Sequence, residues 1–130
     1  MSDRDWQKQM QDATEAYNRF QKELNKNLRA RQQLETQLTE NTSVKEEFGY
    51  LDASAKVFKQ VGPVLVPQDL EEAKGNVQKR LDWINSELKR VDAAAKDLHK
   101  NLEKQKEVLM KLQKEVADSQ VNALAAKHRK

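Results

Sequence analysis

A chain of 130 residues is about the size of one domain. With 35% charged, 37% hydrophobic and 5% aromatic residues, and only 3 Gly and 2 Pro, it is too charged and too poor in aromatics for an ordinary globular core, while its regular apolar spacing excludes disorder. The 24 Lys+Arg and 21 Asp+Glu are interspersed, so the net charge of +3 describes a solvated surface rather than a nucleic-acid footprint, and the absence of cysteine excludes disulfide stapling and thiol chemistry.

The chain opens on polar and charged residues, Met1 to Asp5, unlike a signal peptide. From Trp6 an apolar 4-then-3 spacing runs through Met10, Ala13, Tyr17, Phe20 and Leu24, and continues in step to Leu34, Leu38 and Phe48. The same count lands on Asn27, Arg31, Asn41 and Lys45, so this is a heptad seam with polar interruptions. Ser2 followed by Asp5 resembles a capping box that starts the helix, and Gly49 with Asp52–Ser54 ends it, which places the first helix within residues 1–51.

Residues 52–68 break the pattern. Within them KVFKQVGPVLVP, Lys56 to Pro67, is rich in β-branched residues around Gly62–Pro63 and predicts a β-hairpin with Gly62 at the turn. Val57 and Val61 point to one face and Phe58 to the other, while Val64, Leu65 and Val66 are apolar on both. An isolated two-stranded hairpin is marginally stable at best, and its edges are open to pairing. Burial on both faces requires more protein than two thin helices supply. The expectation is therefore that hairpins from several chains join into a shared sheet or barrel.

The second helix, residues 69–124, carries the cleaner seam: Val77, Leu81, Ile84, Leu88, Val91, Ala95, Leu98, Leu102, Leu109, Leu112 and Val116, interrupted at Gln105. Pro67 stops the preceding segment, and Asp69 with Glu72 offers a cap. Asp92–Lys96 and Glu107–Lys111 are spaced as i,i+4 ion pairs. A hairpin at the bend makes the helices antiparallel, and equal-length pairing sets Asn27 and Arg31 roughly opposite Ala95. The last dozen residues then overhang the start of the first helix, and residues 125–130, with Lys127, Arg129 and Lys130, form a basic, solvated tail. The fold class is thus all-α dominated: one domain made of a long antiparallel two-helix coiled coil with a β-hairpin at its bend.

The central stretch also carries a family likeness. Gln37-Leu38-Thr39-Glu40-Asn41, Val44-Lys45-Glu46-Glu47, Leu51-Asp52, Val57-Phe58-Lys59 and Val61-Gly62-Pro63-Val64-Leu65-Val66 resemble the beta-type subunits of prefoldin. Asp69-Leu70, Glu72-Ala73, Lys79-Arg80-Leu81 and Lys89-Arg90 continue the likeness. This resemblance implies a heterohexamer in which two alpha-type and four beta-type subunits share a double β-barrel hub. It implies coiled-coil tips that hold unfolded clients such as actin and tubulin, transfer to the cytosolic group II chaperonin, and no use of nucleotide. Carried onto this chain, Val57, Phe58, Val61, Gly62, Val64, Leu65 and Val66 are the expected hub residues, and Trp6, Met10, Val121 and Leu124 the expected client contacts at the tips.

Each sharper reading has a plainer competitor. Tyr17 and Phe20 sit on the seam, where packing within the chain outweighs client contact. Trp6 and Met10 lie nearer the open end and balance between the two, while Val121 and Leu124 lean toward exposure. Asn27, Arg31, Asn41, Lys45 and Gln105 could set register, but solvation on a thin coil is the favoured reading. His99 and His128 are far apart in sequence and have no Cys partners, so no metal site is expected. The carboxylates have no cleft to shift their pKa values, and two helices with a hairpin enclose no pocket, so no catalytic residue and no cofactor are expected. The resemblance implies a chaperone subunit, expected to be soluble and cytoplasmic, with neither membrane nor nucleic acid as partner. A generic coiled-coil scaffold or tether is the competing function.

Overall fold

The structure, a computed structural model, describes residues 3–128. Ser2 of the expected cap, and Arg129 and Lys130 of the basic tail, lie outside the described residues. Four elements follow in order: α1 (Asp3–Gly49), β1 (Val57–Val61), β2 (Val64–Gln68) and α2 (Leu70–His128). The chain divides into two compact units, Arg29–Ala93 and the segments Met1–Leu28 with Ala94–Lys130.

In the Arg29–Ala93 unit, α1 closes on the bonds from Tyr50 N to Glu47 O (3.1 Å) and Leu51 N to Phe48 O (3.3 Å), which use up carbonyls left over at the helix end. The following loop is held by Asp52, whose Oδ1 accepts from Ser54 N at 2.9 Å and from Ser54 Oγ at 2.5 Å. These bonds hold the Asp52 carboxyl below its ordinary pKa, the Ser54 hydroxyl contributing most. At the start of α2, Asp69 Oδ2 accepts the Glu72 N–H at 3.2 Å, the expected N-cap, and Glu71 and Glu72 lie in the favourable first turn. The core of this unit is the seam cluster of Leu34, Ile84 and Val91, flanked by Leu38 and Leu88. Ile84 is the most deeply buried of them, at 2% exposure.

The seam reading holds at nearly every position. From Val77 to Val116 each predicted position on α2 is buried or half-buried, Gln105 included. On α1 the same is true from Trp6 to Phe48 except at Lys45, which is exposed. The polar interruptions differ from expectation, because Asn27, Arg31 and Asn41 are half-buried rather than freely solvated. Asn41 meets its hydrogen-bonding need by donating its amide to Gln37 O at 2.8 Å. Arg31 reaches across to Asp92, Nε to Oδ1 at 2.7 Å, and also bonds Glu35. Among the described residues neither Asp92–Lys96 nor Glu107–Lys111 closes to an ion pair; Asp92 is engaged by Arg31 instead.

In the other unit, the Trp6 indole N–H donates to Leu112 O at 3.2 Å. That contact marks the level at which the two helices pair there. Ala13, Leu24, Leu102 and Leu112 are buried in its seam. Counting from the Trp6–Leu112 level, roughly the last dozen residues of α2 run past the described start of α1, about 18 Å at ~1.5 Å per residue. The helix continues through Lys127 and His128, where the expected tail began at residue 125. Ala123, Ala125 and Ala126, all strong helix formers, account for the extension.

Candidate functional site

Two surfaces offer chemistry for binding, one in each unit. In the Arg29–Ala93 unit it is the hairpin. β1 and β2 pair antiparallel with Val57 opposite Gln68, Phe58 opposite Pro67, Lys59 opposite Val66, Gln60 opposite Leu65 and Val61 opposite Val64. A two-residue hairpin loop needs positive φ at its first residue, and a negative φ at the second makes it type II′ rather than I′. Gly62, at φ +58°, supplies the first, and Pro63, fixed near −65°, supplies the second, which is the pattern of a type II′ turn.

Because side chains alternate along a strand, this register puts Val57, Val61, Val64 and Val66 on one face and Phe58, Leu65 and Pro67 on the other. Phe58 (51%), Val61, Val64, Leu65 (65%) and Val66 are all exposed, and Val57 is half-buried. The sequence-predicted hub residues are therefore brought together on one small sheet, apolar on both faces. Both outer strand edges lack a partner strand in this two-stranded sheet. Pro67 falls at a pair whose backbone groups point outward, counting from the closing pair Val61–Val64, so the β2 edge lacks one donor. An exposed, short, apolar sheet of this kind is a pairing surface.

In the other unit the surface is the end of the coil. Val121 and Leu124 are 63% and 57% exposed on the part of α2 that extends past α1. The seam count from Leu112 and Val116 continues through Ser119, Ala123 and Ala126, so Val121 and Leu124 lie off the line that faces α1. Trp6 and Met10 differ from them: both are half-buried, and Trp6 is held to Leu112. The four expected tip residues thus divide into two that pack in the coil and two that are open.

Sequence reasoning missed two features. One is the Arg31–Asp92 contact, which pairing of equal lengths did not foresee. The other is Trp83, 57% exposed on α2; a heptad count already puts it off the seam, between Leu81 and Ile84. Among the described residues no group of His, Cys, Asp or Glu could hold a metal ion, and no helix is long and apolar enough to cross a membrane. His99 is exposed.

A chain of two long helices joined by an apolar hairpin has clear relatives. The family described as prefoldin subunit matches residues 11–116. Prefoldin subunit 6 of Mus musculus is 49% identical over 114 residues, covering 88% of this chain and 90% of that protein. Prefoldin subunit 6 of Arabidopsis thaliana is 38% identical over 123 residues, covering 95% of each. The crystal structure of the prefoldin beta subunit from Thermococcus strain KS-1 shares the fold, with a TM-score of 0.68, 24% identity, and coverage of 82% of this chain and 90% of that one. The chain belongs to the prefoldin subunit family, whose members are co-chaperone subunits that assemble with one another. Its likeness to subunit 6 agrees with the central Gly62–Val66 run followed by Gln68.

Proposed function

We propose that this chain is a beta-type subunit of a heterohexameric, ATP-independent co-chaperone, with two alpha-type and three further beta-type subunits as its partners. Val57, Phe58, Val61, Gly62, Val64, Leu65 and Val66 form its share of a β-barrel hub. The observation that carries this reading is the hairpin, apolar on both faces with both edges unpaired, which is stable only when other strands cover it.

At the coil ends the subunit holds unfolded proteins, such as actin and tubulin, and passes them to the cytosolic chaperonin. Val121 and Leu124 supply open apolar surface on the overhang, and the exposed parts of Trp6 and Met10 add to it further back along the coil. Weak apolar contacts among charged neighbours hold a non-native chain without trapping it. The work is binding and release, with no catalytic residue and no cofactor, in the cytoplasm, and the whole chain acts as one prefoldin-like domain.

The test is native mass spectrometry of the tagged endogenous protein, joined to an aggregation assay with a denatured protein on the same sample. A six-subunit complex of small, distinct helical chains that suppresses aggregation without ATP is the expected result. A simple dimer with no protection of unfolded protein would instead make the chain a coiled-coil tether.

A further inference from the structure

Beside the hairpin, the Arg29–Ala93 unit has a second open surface. A groove of about 180 Å³ lies where the end of α1, the base of the hairpin and the first turns of α2 meet. Phe48, Val57, Phe58 and Val77 line it with apolar surface, and Lys59 and Arg80 are among its lining residues. No Asp or Glu lines it. Among the described residues, neither Lys59 nor Arg80 takes part in an ion pair, so two cations face an apolar slot with no anion to balance them. The volume is well under the roughly 300–1,000 Å³ usual for small-molecule sites, and suits one or two protein side chains.

The surface does not stop at the groove. Asn76, which also lines it, Arg80 and Trp83 follow one another at spacings of four and three and so share one face of α2. Trp83 takes no part in the seam and is more than half exposed. A large exposed aromatic beside an arginine, bordering an apolar pocket, is the composition of the energetic centre of a protein interface.

We infer that this face is a second subunit contact, in which a neighbouring prefoldin subunit lays an apolar side chain into the groove and carboxylates against Lys59, Arg80 and the edge of Trp83. A subunit is favoured over a client because the groove is continuous with the hairpin: Phe58 both walls the groove and forms part of the exposed sheet face. The unbalanced cations specify a partner surface that is acidic around an apolar centre, which gives this contact a selectivity that an all-apolar hairpin lacks. The inference rests on the assembly reading above and adds to it a contact that chooses which subunit stands alongside.

The chain has two tryptophans, Trp6 and Trp83, so 5-fluorotryptophan incorporated into this subunit alone gives two ¹⁹F signals, assigned with Trp6→Phe. The labelled full-length chain is mixed with the purified complementary prefoldin subunits, and only fractions of assembled mass are read. The Trp83 signal is expected to shift on assembly and to lose its sensitivity to exchange of H₂O for D₂O. Arg80→Glu is expected to weaken assembly at least tenfold with unchanged far-UV helicity, and Arg80→Gln less so. An assembled complex with an unmoved Trp83 signal overturns the second contact and leaves the hairpin hub intact. A Trp83 signal that moves only when denatured protein is added overturns it too, by making the face a client surface. If no assembly forms with the unsubstituted chain, the assembly reading fails and the contact fails with it.

Discussion

Arg31 on α1 and Asp92 on α2 are joined across the coil, Nε to Oδ1 at 2.7 Å, at a seam position where the heptad count asks for an apolar residue. Glu35, one turn on, takes the other side of the same guanidinium. Asp92 first, then Glu35, holds the arginine above its ordinary range. Both carboxylates and the arginine are partly exposed, so the contact selects a pairing level more than it adds stability. Replacing Arg31 by Leu is therefore expected to raise the melting temperature of the assembled protein, because an apolar residue continues the seam. Asp92→Ala is expected to lower it slightly. Calorimetry of the two variants decides the matter, and a lower melting temperature for Arg31→Leu would mean that the ion pair outweighs apolar packing.

Ile84 gives the opposite case, a seam residue with almost no exposure, packed in one cluster with Leu34 and Val91. Truncation to Ala removes its burial and leaves a void. The expected loss is about 2–5 kcal/mol, toward the lower end because a two-helix coil can partly close the gap. Urea unfolding should show the change as an earlier midpoint at unchanged slope.

What could be read from the sequence follows from what is local. A heptad seam is a property of spacing within one helix, so Val77 through Val116 were assignable by counting. The turn at Gly62–Pro63 was likewise set by the backbone preferences of two residues. The level at which the helices pair is not local. It depends on the path of the chain through residues 50–56 and the hairpin, so equal-length pairing set Asn27 and Arg31 only roughly opposite Ala95, while Arg31 bonds Asp92, most of a turn away. The split among the expected tip residues was legible only in part: place along the chain leaned Val121 and Leu124 toward exposure, but the pairing level that commits Trp6 was not local. Trp6 is committed to the coil only because Leu112 arrives at its level.

A hub built from the hairpin separates folding from assembly. Val64 and Val66 share a sheet face with Val57 and Val61, and neither touches the coil seam at Leu34, Ile84 and Val91. Changing both to Asp places charge on the face that other strands cover in the proposed hub, and burying an unpaired carboxylate is costly. The double variant is expected to disperse the complex in native mass spectrometry while far-UV circular dichroism keeps most of the helical signal. Elution at full assembly size would rule out the hairpin as the hub.

The loop after α1 should respond to acid. Asp52 is held below its ordinary value of 3.8 by Ser54, through the hydroxyl first and the backbone N–H second. A depressed carboxyl pKa means that the loop's stabilisation is fully present above about pH 4 and is lost as pH falls through the depressed value. Ser54→Ala removes the larger cause, so the Asp52 carboxyl should titrate at higher pH and the loop should open earlier on acidification. A carbon-13 titration of the Asp52 carboxyl reads this directly. If Ser54→Ala leaves the titration unmoved, the backbone N–H of residue 54 alone sets it.

At the coil end, packing and client contact predict different losses for neighbouring residues. Val121 and Leu124 are open and off the seam, so Val121→Ser with Leu124→Ser should leave assembly size and helicity almost unchanged. If they hold clients, the same double variant should suppress aggregation of a denatured protein several-fold less well, because apolar area exposed to the client is what it loses. Trp6→Ala acts elsewhere. It removes a half-buried ring and its hydrogen bond to Leu112 O, so it should destabilise the paired end of the coil, by less than the roughly 3–5 kcal/mol of a core tryptophan. Hydrogen exchange separates the two effects, with faster exchange near residues 6–13 and 105–116 expected for Trp6→Ala and not for the Val121/Leu124 pair. Aggregation assays on both variants complete the comparison. Unimpaired protection by the Val121/Leu124 variant would remove these two residues from the client surface and turn attention to Trp6 and Met10.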